Sequence, residues 1–221
     1  MTEEQKQNFQ KEKAAIEKEI SAMTSDQVMY DEHIIAGLYN DLGAVNAALE
    51  DYDEAIRCYN EGLSYLEYSC EEFDPIEDAL NDGLKEIYEM KEDYKKAIEY
   101  AKKSSKNSME YYLSDPEGSF TYILDLCCLY LKAGDYPTAK RYLDRAAGFE
   151  YSDEEIENRT AQLDYFYFAY YYATDDIEKA LAYGEKAYKE VVEAYGADIE
   201  QAQWVKTELD NIKRSFNVSY I

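Results

Sequence analysis

The chain has 221 residues, with 48 Asp or Glu against 23 Lys or Arg, giving a formal net charge of −25. Such a molecule repels phosphate backbones and anionic lipid alike, which argues against direct nucleic-acid binding and against a membrane partner. Hydrophobic residues at 46% supply a core, and only 9 Gly and 3 Pro interrupt the chain, so it is expected to be nearly all helix.

The first predicted element is a helix over residues 3–23, charged along most of its surface, with a narrow apolar stripe of Phe9, Ile16 and Ile20. That pattern suits a polar cap or a partner-binding arm. Thr24-Ser25-Asp26 ends it and caps the next helix. A helix over 28–48 then turns at Glu50-Asp51 into one over 52–71. Asp74-Pro75 opens a second pair over 76–90 and 94–112, turning at Glu92-Asp93, because proline fits a first helical turn where its missing N–H costs nothing. A third pair over 119–133 and 136–148 hinges at Gly134-Asp135. Its first helix is apolar nearly all round, as befits a helix packed between neighbours. Ser152-Asp153-Glu154-Glu155 reads as an N-cap with acidic first-turn residues, leading a fourth pair over 155–173 and 177–195. A last helix over 198–216 carries Ala202, Val205, Leu209 and Ile212 on one face, which suits a solubilising end cap.

These pairs repeat. Asp51-Tyr52-Asp53-Glu54-Ala55-Ile56 aligns with Asp93-Tyr94-Lys95-Lys96-Ala97-Ile98, with Asp135-Tyr136-Pro137-Thr138-Ala139-Lys140 and with Asp176-Ile177-Glu178-Lys179-Ala180-Leu181. The alanines Ala55, Ala97, Ala139 and Ala180 lie 42, 42 and 41 residues apart. A fixed period of this length marks units too small to bury their own apolar faces, which therefore stack into one elongated array. The expected organisation is an N-terminal helix (1–24), an array (26–196, in units 26–73, 74–115, 116–150 and 152–196) and a capping helix with its tail (197–221).

The first unit, Leu38-Tyr39-Asn40-Asp41-Leu42-Gly43 followed by the Asp51 to Ile56 segment and Tyr59, resembles the tetratricopeptide repeat (TPR). Leu84 and Tyr88 with Ala97, Leu126 and Tyr130 with Ala139, and Tyr167 and Tyr171 with Ala180 repeat the pattern. Only the first unit keeps Leu-Gly, since Lys85, Cys127 and Phe168 replace the glycine elsewhere. The period of about 42 is similar to that of the long-repeat variety found in kinesin light chains and many bacterial regulators. The resemblance implies an all-α, right-handed α-solenoid of about four stacked antiparallel helix pairs, whose concave face holds a peptide or a partner helix. Its groove positions fall on Asn40, Asp41 and Ala44, on Asp82, Glu86 and Glu89, on Leu124, Asp125 and Cys128, and on Tyr165, Phe166, Ala169 and Tyr172. Relatives that clamp a C-terminal carboxylate use Lys and Asn at such positions. Here only Asn40 remains, so that ligand class is disfavoured.

Asp41, Asp82, Glu86, Glu89 and Asp125 would attract Lys and Arg, while Tyr165, Phe166 and Tyr172 would bury apolar side chains or stack on guanidinium groups. The competing reading makes the carboxylates a solvated helix face and the rings core. Lys91, Lys95, Lys96, Lys102, Lys103 and Lys106 form a basic ridge that reads as an outer helix rather than a site for an acidic partner. Cys58, Cys70, Cys127 and Cys128 have neither CxxC spacing nor clustered histidines, so reduced thiols are expected and zinc is not. The single histidine, His33, has no nucleophile motif, and neither GxSxG nor a phosphate-binding glycine loop is present. The expectation is a non-enzymatic protein- or peptide-binding adaptor without cofactor or metal, whose partner carries basic and apolar side chains. No secretory signal or 18-residue apolar run opposes a cytoplasmic location. Two alternatives are a peptide-sensing regulator acting through another protein and an acidic inhibitor that imitates nucleic acid. Self-association through the rings or the first helix stays open.

Overall fold

The computed structural model describes residues 1–25, 31–67, 74–112, 116–149 and 153–218. Among them are ten helices and no strand: α1 (Glu3–Ser25), α2 (Glu32–Ala48), α3 (Tyr52–Leu66), α4 (Pro75–Met90), α5 (Tyr94–Tyr112), α6 (Pro116–Lys132), α7 (Tyr136–Ala147), α8 (Asp153–Ala173), α9 (Ile177–Tyr195) and α10 (Glu200–Val218). The chain divides into two compact units, Met1–Ser114 with α1 to α5 and Asp115–Ile221 with α6 to α10. Within each, α2 pairs with α3, α4 with α5, α6 with α7 and α8 with α9.

Four turns of one design make these hairpins. Asp51, Asp93, Asp135 and Asp176 each accept a hydrogen bond from the backbone N–H three residues on, the N-cap arrangement that satisfies an orphan donor. The same aspartates send their own N–H back to the carbonyls of Asn46, Tyr88, Tyr130 and Tyr171, closing the preceding helix. The residue just before each lies in the left-handed region: Glu50 at φ 64°, Glu92 at 57°, Gly134 at 75° and Asp175 at 59°. Only one of the four is the glycine that this conformation favours.

The helix starts differ modestly from expectation. α4, α6 and α8 begin one to three residues earlier, at Pro75, Pro116 and Asp153, the two prolines occupying the helix start their fixed φ suits. Thr24 and Ser25 do not cap α2. They complete α1, with Thr24 donating to the Ile20 carbonyl, and Asp31 caps α2 by accepting from the His33 N–H. Residues 28–30 and 68–71, placed in helices by the sequence, lie outside the described residues.

Ala55, Ala97, Ala139 and Ala180 are fully buried, where a small side chain lets paired helices approach. The departures from Leu-Gly have a packing explanation. In the first pair Gly43 faces Tyr59, and a Cβ on Gly43 would lie 2.5 Å from the ring. In the fourth pair the sizes are exchanged: Phe168 stands where Gly43 stands, and Gly184 takes the place of Tyr59, its notional Cβ 2.8 Å from the Phe168 ring. Position for position the middle pairs carry Lys85 opposite Ala101 and Cys127 opposite Leu143. One side of each hairpin is large where the other is small, so a full core is kept without the glycine.

A second pairing recurs in three of the four hairpins. Tyr88 stacks on Tyr100 and Tyr130 on Tyr142 at 5.5 Å, and Tyr171 on Tyr183 at 5.4 Å. Lys96 and Lys103 lie over the first of these stacks and Lys179 and Lys186 over the last, at 4.5 to 5.5 Å, adding cation–π attraction. In the first hairpin Asn46 and Cys58 occupy the equivalent positions. There α1 supplies the missing cover, with Ile20 buried against Leu42 and Cys58, and Ile16 alongside Leu38 and Tyr39. At the other end Ala202, Val205, Leu209 and Ile212 of α10 are buried. Val205, Leu209 and Ile212 share a core with Phe168 and Ala180, as a terminal cap requires.

Candidate protein-binding surfaces

In the first unit the candidate carboxylates sit on α2 and α4, which pack against each other. Asp41 and Glu86 are exposed, while Asn40, Asp82 and Glu89 are half-buried. Asp82 is also engaged locally, accepting from the Ser104 hydroxyl at 3.0 Å with Lys85 at 3.5 Å. The Tyr59 phenol is pushed up to about 12, chiefly by burial and then by the Glu86 charge. His33 has a structural place: its Nε2 lies 2.9 Å from Oδ2 of Asp74, a buried carboxylate that caps α4 by accepting from the N–H groups of Ile76 and Glu77. Three of the six ridge lysines are paired with carboxylates: Lys91 with Asp53 at 2.7 Å, Lys103 with Glu99 at 2.8 Å and Lys96 with Asp93 at 3.8 Å. The Lys106 side chain lies outside the described residues, as does Cys70.

In the second unit Tyr165 and Phe166 line a cleft of about 500 Å³, together with Ala161 and Gln162 of α8, Val191 and Tyr195 of α9, and Ile199 and Gln201 at the start of α10. The lining is dominated by apolar and aromatic side chains, with two amides able to give direction to a ligand. Tyr172 lies further along α8. It is exposed, and its hydroxyl donates to Glu208 at 2.5 Å. Trp204 of α10 ties the rings together, 5.6 Å from Tyr165, 5.3 Å from Phe168 and 6.3 Å from Tyr172. Trp204 was not among the residues the sequence singled out, because it lies in the helix read as a cap. Seven of the eight residues 165–172 are aromatic; Phe168 is fully buried, Tyr172 is exposed and the rest are half-buried.

One groove position is corrected. Leu124 is buried in the core formed by Phe120, Ile123, Cys127 and Leu143, because α6 turns apolar side chains in nearly every direction and the spacing alone did not say which face was inward. Asp125 is exposed and Cys128 half-buried. The Cys127 thiol is pushed up to about 12 by burial. Beside the cleft, on the face of α8 turned toward α9, burial raises the Asp164 carboxyl above its ordinary value. Glu190 is raised too, by burial and then by the Asp164 charge. Among the described residues no group of three or more His, Cys, Asp or Glu is arranged to hold a metal ion, and no helix is long and apolar enough to cross a membrane.

Residues 34–110 match the model of the tetratricopeptide repeat family. Over those residues the chain carries tetratricopeptide repeats. The same turns and caps continue past the matched region, through α9. The crystal structure of BtubC (BKLC) from P. vanneervenii is similar in fold, with a TM-score of 0.58, 17% identity, and 95% of this chain and 92% of that one covered. No curated protein matches the sequence. In TPR terms the acidic residues of α2 and α4 and the rings of α8 lie on first helices of their hairpins, and the cleft adds the end of a second helix and the start of the cap.

Proposed function

We propose that this TPR protein is a non-enzymatic adaptor that binds a protein or peptide carrying apolar and basic side chains. The observation that carries the reading is the cleft of about 500 Å³ beside Tyr165 and Phe166, large enough for one or two bulky apolar side chains. Asn40, Asp41, Asp82, Glu86 and Glu89 in the first unit, with Asp125 and Tyr172 in the second, are the further contact residues of this reading. Carboxylates at such positions speed encounter with Lys- and Arg-bearing partners and set the salt dependence of binding.

A peptide array with varied apolar and basic content tests the proposal. Peptides pairing Leu, Phe or Trp with Lys or Arg are expected to be retained. Phe166→Ala should weaken retention by about tenfold or more, as expected for loss of a buried aromatic anchor. Asp41→Lys with Glu86→Lys should flatten the salt dependence. Retention of basic sequences without apolar residues, indifferent to Phe166→Ala, would instead favour an acidic imitation of nucleic acid.

A further inference from the structure

The first hairpin lacks the tyrosine stack of the other three, at the place where α1 lies. Tyr88, Tyr130 and Tyr171 each stack on a second tyrosine of their own hairpin, which completes the packing from within. At the equivalent place Asn46 is fully buried. Its amide donates to the Leu42 carbonyl at 2.8 Å and to the Cys58 sulfur at 3.5 Å, and its Oδ1 accepts from the Lys13 ammonium of α1 at 2.7 Å. A buried acceptor answered from a separate helix fixes which helix can sit there and in what register, as a single buried asparagine does in a coiled coil.

α1 is lightly held by comparison with its length. Over 23 residues it buries one side chain, Ile20, with Phe9, Lys13, Ile16 and Met23 half-buried. Elements with so few buried contacts open at a free energy below that of global unfolding. The patch beneath meets one short pattern on α1: a lysine, an aliphatic residue three positions on and another four beyond that.

We propose that this edge of the array is a second protein-binding site, closed by α1 as an intramolecular stand-in, and that its partner is an amphipathic helix presenting Lys-x-x-aliphatic-x-x-x-aliphatic. The partner's ammonium reaches Asn46 and its two aliphatic side chains cover Leu38, Leu42 and Cys58. The site lies within the first unit, shares no residue with the cleft of the second, and does not depend on the adaptor reading.

Cys58 supplies the assay. Under α1 its thiol is fully buried and burial pushes it up to about 11, so it alkylates slowly, whereas an uncovered thiol regains its ordinary acidity and reacts. In the full chain, Ile20→Asp should raise the Cys58 alkylation rate, followed by peptide mapping, about tenfold or more while the protein still melts cooperatively. A labelled peptide of residues 3–25 should then bind this variant, restore protection of Cys58, and bind wild type far more weakly. The same peptide with Lys13→Ala should lose about tenfold in affinity, and that loss should vanish when Asn46→Ala is introduced into the receptor. Should Ile20→Asp melt without cooperativity, Lys13→Ala in the full chain provides the comparison, since it leaves Ile16 and Ile20 in place. Unchanged Cys58 reactivity in a folded variant, absence of peptide binding to it, or equal binding of the Lys13→Ala peptide would each overturn the proposal.

Discussion

Gly37 and Gly43 lie six residues apart in the interior of α2, yet replacing each with alanine should move stability in opposite directions. A Cβ on Gly37 would meet only Ile76 Cδ1, at 4.0 Å, so Gly37→Ala gains helix propensity without a clash and should stabilise by about 1 kcal/mol. A Cβ on Gly43 would lie 2.5, 2.6 and 2.8 Å from three atoms of the Tyr59 ring. The ring has little room to move, because Gly83 of α4 also packs against it, its notional Cβ 2.5 Å from the ring. Overpacking of a pinned ring costs about 3 kcal/mol, the upper end of the usual range. Less the propensity gain, Gly43→Ala should destabilise by about 2 kcal/mol. For a unit of this size that corresponds to roughly 4 °C upward for Gly37→Ala and roughly 8 °C downward for Gly43→Ala in a melt followed by circular dichroism. Tyr59→Leu is destabilising alone but should absorb most of the Gly43→Ala penalty, with a coupling of about 1 kcal/mol or more in the double-mutant cycle. Equal signs for the two glycine substitutions, or purely additive Gly43→Ala and Tyr59→Leu effects, would refute the size-complementarity argument.

Three further outcomes follow from named contacts. Glu50→Gly, Glu92→Gly and Asp175→Gly should each stabilise by about 0.5–1 kcal/mol by relieving a left-handed residue, whereas Gly134→Ala should cost about 1 kcal/mol, all measurable as urea midpoints at constant slope. Asp74→Ala removes both the cap of α4 and the contact with His33 and should cost about 2 kcal/mol, while Asp74→Ser, which keeps a capping oxygen, should recover about half. Asp164 and Glu190 are raised above ordinary values of 3.8 and 4.5, so the fold favours their neutral forms. Their contribution is fully present below those ordinary values and is lost as pH rises through the raised ones. Asp164→Asn should therefore raise the melting temperature at neutral pH and lose that advantage below about pH 3.8, as read from melts across that range.

Much of the architecture was readable because its signals are local. Asp51, Asp93, Asp135 and Asp176 precede their helices at a fixed distance from a buried alanine, and a cap or a turn needs only neighbours in sequence. The bounds of α5 and α9 follow directly. The readable part stops where two distant side chains share one volume. Phe168 looked like a departure until Gly184, on the next helix, supplied the space it fills. Leu124 looked like a groove residue because α6 is apolar on nearly every face, and periodicity then has no contrast to work with. At the candidate site the sequence named Tyr165 and Phe166 but not Trp204, whose ring neighbours on α8 lie 32 to 39 residues away. His33 and Asp74 were read one at a time, and only the packing of α2 on α4 joins them.

The exchange of bulk between Gly43 with Tyr59 and Phe168 with Gly184 makes each hairpin a matched set rather than a standard part. Splicing α2 to α9 would set glycine against glycine and leave a void, and splicing α8 to α3 would force phenylalanine into tyrosine. A library that shuffles whole hairpins should therefore yield folded chains far more often than one that shuffles single helices, and drift at either position must be answered by its opposite number before the change can be tolerated.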